Sequence, residues 1–161
     1  MSDNSLAERL GRTLHELGWT VATAESCTGG LIAGAITEIA GSSAWFDRGF
    51  VTYSNEAKIE LLGVRATTLD AHGAVSEATA REMVAGALRN SRATIAVAVT
   101  GIAGPAGGTP AKPVGLVWLA WGRRNGPVEA RSEHFEGDRA AVRAATVRQA
   151  LEGLIERASS D

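Results

Sequence analysis

A three-layer α/β/α sandwich on a mixed, roughly five-stranded sheet is the fold class this sequence predicts. Three observations carry it. Helical-period and strand-type segments alternate along the chain. The run 93–99 is nearly continuous apolar sequence, the mark of a central strand covered on both faces. The last two strand-type segments flank RRNG, a good hairpin turn, so an antiparallel pair is added to the sheet.

Taken in order, Leu6, Leu10, Leu14 and Leu17 mark an amphipathic first helix ending near Gly18. Thr20 to Ala24 is short, apolar and partly β-branched, and reads as a buried strand. Leu31, Ile32, Ala35, Ile36 and Ile39 recur at helical spacing. Phe46 to Ser54 reads as a second strand. Asn55 then caps a short helix with Lys58, Leu61 and Leu62, which Gly63 ends. The segment 67–76 is a turn-rich linker with a short helical piece around Leu69. Glu77 to Asn90 is a helix with Met83, Val84, Ala87 and Leu88 inward. After the 93–99 strand comes a long loop, TGIAGPAGGTPAKPVG, then strands at 116–121 and 128–135. A closing helix from about Asp138 keeps Val147, Leu151, Leu154 and Ala158 in one stripe. There are no repeats, and residues 1–161 are expected to form one domain.

Bulk composition narrows the function. At 161 residues with 45% hydrophobic content, a packed core is feasible and disorder is excluded. The net charge is −2 and neither sign forms a run, which argues against a nucleic-acid surface or a polybasic membrane patch. A single Cys excludes an internal disulfide, and no Cys/His cluster has metal-ligand spacing. The N-terminus is polar rather than an apolar leader, and no apolar run is long enough to span a membrane. A soluble, cytoplasmic protein without metal or cofactor is expected.

Among 16 basic residues, 14 are Arg and two are Lys, at positions 58 and 112. Arg stays protonated near neutral pH, whereas a desolvated Lys can act as a neutral base. Both lysines fall in segments that stand out for other reasons.

The chemistry concentrates in three segments. In TVATAESCTGG a strand breaks at Ser26 into a glycine pair and a helix. Such junctions aim backbone N–H groups and the positive end of the helix dipole into the turn. Ser26 or Thr28 could simply cap the helix, but no Glu or Gln follows Ser26 by three residues to complete a capping box. Cys27 is a second nucleophile candidate, although a lone Cys beside a strand more often packs as a small apolar residue. The second segment, Tyr53-Ser54-Asn55-Glu56-Ala57-Lys58, leads from a strand end into a helix. The third is the loop 101–115, with five glycines and three prolines, whose amides can approach an anion or a planar ring. It lacks the Gly-Lys-Ser/Thr of a phosphate loop.

A serine nucleophile needs a base. Of the three histidines, His15 sits on a helix edge, His134 lies inside a strand, and His72, in the linker, is the one rival. Lys58 can take that role if a low-dielectric pocket lowers its pKa. Arg139 and Arg143, on adjacent turns of the last helix, could bind a carboxylate or phosphate, or pair with Asp138 or Glu136.

TAESCTGG, TYSNEAK, GAVSEATAREM, VTGIAGPAGGT–KPVG and FEGDRAAVR resemble, in order, the hallmark segments of the CinA family's C-terminal domain. The resemblance spans nearly the whole chain. It implies a nicotinamide-nucleotide amidohydrolase that deamidates nicotinamide mononucleotide to nicotinate mononucleotide and ammonia in pyridine-nucleotide recycling. It implies a Ser–Lys pair on Ser26 and Lys58, assisted by Tyr53. Cys27, Thr28, Gly29 and Gly30 in the turn, Thr100, Gly101, Ala103 and Gly104 in the loop, and Arg139 and Arg143 would then bind substrate. A homodimer or higher homo-oligomer is expected. Pro110 and Ala111 depart from a usually more polar pair before Lys112, and the N-terminal domain of larger relatives is expected to be missing. Two other readings stay open: a nucleotide-binding or regulatory module without turnover, and a hydrolase that uses Cys27.

Overall fold

A computed structural model describes residues 2–160. Five strands form one sheet in the order β2-β1-β3-β4-β5. They are β1 (Val21–Glu25), β2 (Phe46–Val51), β3 (Ile95–Gly101), β4 (Leu116–Arg123) and β5 (Val128–His134). The first three are parallel, and β4 and β5 join antiparallel. The mixed five-stranded sheet is the one the sequence predicts.

Helices cover both faces because β1 and β3 are apolar on both. Alternate residues of each strand go to opposite sides. Val21, Val97 and Val99 join one core with α1 (Asp3–Leu17), α2 (Leu31–Thr37) and α6 (Arg139–Ser159). Ala22, Ala24, Ala96 and Ala98 join another with α3 (Asn55–Leu62) and α5 (Glu77–Arg89). The small alanine face lets α5 sit close to the sheet. The α5 helix also abuts α3 at Gly86, where a Cβ would lie 1.9 Å from the Leu62 carbonyl oxygen. Any side chain there would displace the helix that carries Lys58. A short helix, α4 (Ala66–His72), occupies the predicted linker.

Several boundaries differ from the expectation. The first strand is displaced by one residue and takes in Glu25. The α2 helix stops at Thr37, so Ile39 lies beyond it although it still packs on the core. The second strand ends at Val51, and Ser54 rather than Asn55 caps α3. Ser54 has extended backbone and its Oγ accepts the Ala57 N–H at 3.0 Å, while Asn55 is already helical.

The register sets the site. Glu25 lies beside Val51 on one side and Val99 on the other, so β1 and β2 end level while β3 runs two residues further to Gly101. The chain leaves β1 for β2 on one flank, while β3 lies on the other. A crevice opens at such a reversal of strand order.

Candidate active site

Backbone bonds stitch the three predicted segments together at these strand ends. The Ser26 N–H donates to the Val99 carbonyl at 3.1 Å, and the Thr52 N–H donates to the Glu25 carbonyl at 2.7 Å. Gly29 and Gly30 have φ of 57° and 107°, so the turn uses a backbone conformation suited to glycine. The resulting cleft has a volume of about 270 Å³. Ser26, Cys27, Tyr53, Asn55, Lys58 and Arg139 line it, with Ala74, Val75 and the loop from Thr100 to Gly107.

Lys58 enters from the first turn of α3 and is 1% exposed. Its Nζ donates at 2.9 Å to Ser26 Oγ, at 2.9 Å to the Thr52 carbonyl and at 3.3 Å to the Tyr53 carbonyl. Lysine offers three donors, and here all three positions are filled by neutral oxygens. Burial pushes its pKa down, with the nearby Cys27 thiol opposing weakly. No carboxylate contacts this ammonium among the described residues.

Cys27 has the opposite tendency. Burial raises its thiol pKa to about 11, so the thiol stays protonated at neutral pH. It lines the cleft beside Ser26 as an apolar group. The Cys27 N–H makes no bond to another residue among the described residues, and this is the amide that follows the nucleophile.

The N-terminus of α2 is organised differently from the expectation. Neither Ser26 nor Thr28 caps it. The Glu25 carboxylate, 1% exposed, accepts from the N–H groups of Gly30 (3.3 Å), Ile32 (2.9 Å) and Ala33 (3.0 Å). Thr28 is fully buried, and its hydroxyl donates to the same carboxylate at 2.5 Å. The positive pole of α2 is therefore already matched by an internal anion. Thr28, Gly29 and Gly30 shape the turn and do not line the cleft. Sequence reasoning passed over Glu25. The signal was a carboxylate closing an otherwise apolar strand directly before the turn.

The two arginines separate. Arg139 reaches the cleft, where Nη1 donates to the Gly104 carbonyl at 2.9 Å and Nη2 to the Tyr53 hydroxyl at 3.0 Å. It ties the glycine-rich loop to the Tyr53 segment. Arg143 faces the other side of the turn and does not line the cleft. Its Nε donates to the Cys27 carbonyl at 3.1 Å and its Nη2 to the Thr28 carbonyl at 3.2 Å. Neither pairs with Asp138, whose carboxylate caps α6 through the Ala141 N–H at 2.9 Å.

Thr100, Gly101, Ala103 and Gly104 line the cleft as expected, and the Thr100 hydroxyl donates to the Ala74 carbonyl at 2.9 Å. That bond draws in Ala74 and Val75, which composition alone did not single out. Asn55, expected as a cap, lines the cleft instead. His72 ends α4 outside the cleft, with its carbonyl accepting Lys112 Nζ. His15 and His134 are exposed elsewhere. No group of three or more His, Cys, Asp or Glu is placed to hold a metal ion among the described residues, and none of their helices is long and apolar enough to cross a membrane.

Known proteins resemble this chain in sequence and in fold. The family model of the CinA C-terminal domain matches residues 3–158. The nicotinamide-nucleotide amidohydrolase PncC of Escherichia coli strain K12 is 56% identical over 149 residues, covering 92% of this chain and 90% of that protein. The PncC of Pseudomonas putida is 54% identical over 152 residues, covering 94% of each. The crystal structure of the competence/damage inducible protein CihA from Agrobacterium tumefaciens superposes with a TM-score of 0.93 at 58% identity, covering 96% of this chain and 94% of that one.

Proposed function

We propose that this chain, which belongs to the CinA C-terminal domain family, is a nicotinamide-nucleotide amidohydrolase acting through a Ser26–Lys58 pair and an acyl-enzyme. The observation that carries the mechanism is the buried 2.9 Å contact between Lys58 Nζ and Ser26 Oγ, in a cleft that no histidine lines. The relatives named for this amidase activity supply the substrate class.

The reaction then runs as follows. Neutral Lys58 takes the Ser26 hydroxyl proton as the oxygen attacks the carboxamide carbon of the nicotinamide ring. A C–O bond forms, and the carbonyl π pair moves onto oxygen. The amides of the turn after Ser26, with the Cys27 N–H foremost, hold the resulting oxyanion. A donor of this kind contributes about 3–4 kcal/mol. The C–N bond breaks as the Lys58 ammonium returns its proton to the leaving nitrogen, and ammonia departs. Lys58, neutral again, takes a proton from water, which attacks the ester. Nicotinate mononucleotide leaves as Ser26 recovers its hydrogen. Tyr53 serves twice: its carbonyl helps hold Lys58, and its hydroxyl helps hold Arg139. Arg139 is the cation that meets the nucleotide phosphate.

The test is ammonia release from nicotinamide mononucleotide, followed with mass spectrometry of the quenched enzyme. A nicotinoyl nucleotide adduct on Ser26 supports the reading. Binding of the nucleotide without ammonia release would point instead to a module that binds and does not turn over.

A further inference from the structure

Arg143 is the strongest unabsorbed feature. Its side chain comes from α6, crosses to the nucleophile turn, and ends on two backbone carbonyls rather than on an acid or in the cleft. Those carbonyls belong to Cys27 and Thr28, the two residues after Ser26. The turn is thereby held by opposite charges on its two kinds of backbone group. Glu25 collects N–H groups of Gly30, Ile32 and Ala33, and Arg143 collects the carbonyls. The Gly29 N–H closes the turn onto the Ser26 carbonyl at 3.0 Å. The guanidinium packs against Gly29, where a Cβ would lie at an ordinary contact distance of 3.5 Å from Arg143 Nη2.

We propose that Arg143 is a positioning residue: its fork on the Cys27 and Thr28 carbonyls fixes the turn so that Ser26 Oγ and the Cys27 N–H keep their places relative to Lys58. The inference rests on the Ser–Lys reading above. The planar guanidinium spans two carbonyls with a fixed geometry, which an ammonium does not. Without it the turn relaxes. A shift of about 1 Å at a reacting group costs roughly 10²-fold in rate. Arg143 does not line the cleft, so ground-state affinity should be unaffected.

The experiment compares the parent with Arg143→Ala and Arg143→Lys. Arg143→Ala is expected to lose roughly 10- to 100-fold in kcat with KM held within about twofold. Arg143→Lys, which can satisfy one carbonyl, should fall between, and added guanidinium ion should restore part of the Arg143→Ala rate. Circular dichroism checks the fold, and if Arg143→Ala does not fold, Arg143→Lys supplies the same kcat-against-KM split. A raised KM at unchanged kcat would overturn the proposal and make Arg143 a substrate ligand. Unchanged kcat and KM would overturn it as well. A second readout uses no nicotinamide nucleotide: the rate at which a small phosphonofluoridate labels Ser26. Slower labelling in Arg143→Ala supports positioning even where the parent releases no ammonia, so failure of the amidase reading is separable from failure of this one. Equal labelling in parent and variant would overturn it.

Discussion

Lys58 Nζ lies 2.9 Å from Ser26 Oγ across 32 residues of sequence, and the lysine is 1% exposed. Lysine is among the residue types least often found fully buried. Burial without a counter-charge pushes its pKa below the ordinary lysine value.

Ser26→Ala should abolish ammonia release with the fold retained, because the change deletes a hydroxyl and little volume. Cys27→Ala should keep most activity, since its thiol, with a pKa of about 11, holds its proton at neutral pH. Both are checked by ammonia assay and circular dichroism. A dead Cys27 variant beside an active Ser26 variant would transfer the nucleophile to sulfur.

Lys58→Arg should lose roughly 10²-fold or more in kcat, the scale of general-base catalysis. Arg keeps the charge and cannot give up its proton near neutral pH. The parent should show a limb of activity rising with pH, centred below the ordinary lysine value of 10.5 because burial lowers this pKa. The pH profile of the variant should lack that limb.

Lys58 also ties stability to pH. Its folded-state pKa lies below the unfolded value, so between the two the unfolded chain binds a proton that the folded chain does not. Stability therefore rises with pH across this window, by at most about 1.4 kcal/mol per pH unit. The cost of burial is complete below the folded pKa and is lifted as pH climbs toward 10.5. Urea unfolding of the parent and of Lys58→Met should show the parent gaining on the variant as pH climbs toward 10.5. A difference independent of pH would contradict the lowered pKa.

Glu25→Ala should destabilise by about 3–5 kcal/mol, since it strands the buried donors that the carboxylate now satisfies. Glu25→Gln keeps part of the acceptor set and should cost less. Urea unfolding of both variants measures this, and a change under about 1 kcal/mol for Glu25→Ala would mean that the α2 amides find other partners.

Arg139→Ala should raise KM for nicotinamide mononucleotide by about tenfold or more, the worth of a charged hydrogen bond. Free nicotinamide, which has no phosphate, should be a poor substrate for the parent and insensitive to this change. Equal turnover of base and nucleotide by the parent would remove the reason for a phosphate contact at Arg139.

Much of the fold was legible because periodicity reports burial. The nearly all-apolar 93–99 segment supplies most of the central strand β3, which runs two residues further to Gly101, and RRNG became the β4–β5 turn. Ser26 and Lys58 were legible as a pair partly because lysine is rare here. Less legible was anything that depended on which way a side chain leaves the turn. Arg139 and Arg143 sit four residues apart, yet one enters the cleft and the other grips the back of the turn. Glu25 was hidden because a single-residue change in the strand end decides whether a carboxylate is buried or solvated. Ser54 and Asn55 are both good caps by type, and backbone angles selected the first.

The internal matching of α2 by Glu25 gives the cleft a polarity. A helix start pointing at bound substrate would ordinarily draw a phosphate toward the nucleophile. Here that attraction is cancelled within the protein, and burial pushes the pKa of the lysine at Ser26 below its ordinary value. Among the residues lining the cleft, the one arginine is Arg139, which meets the Tyr53 hydroxyl while Lys58 meets the Tyr53 carbonyl. On the proposed reading, with the phosphate at Arg139 and the amide at Ser26, a substrate has one direction of entry, amide first.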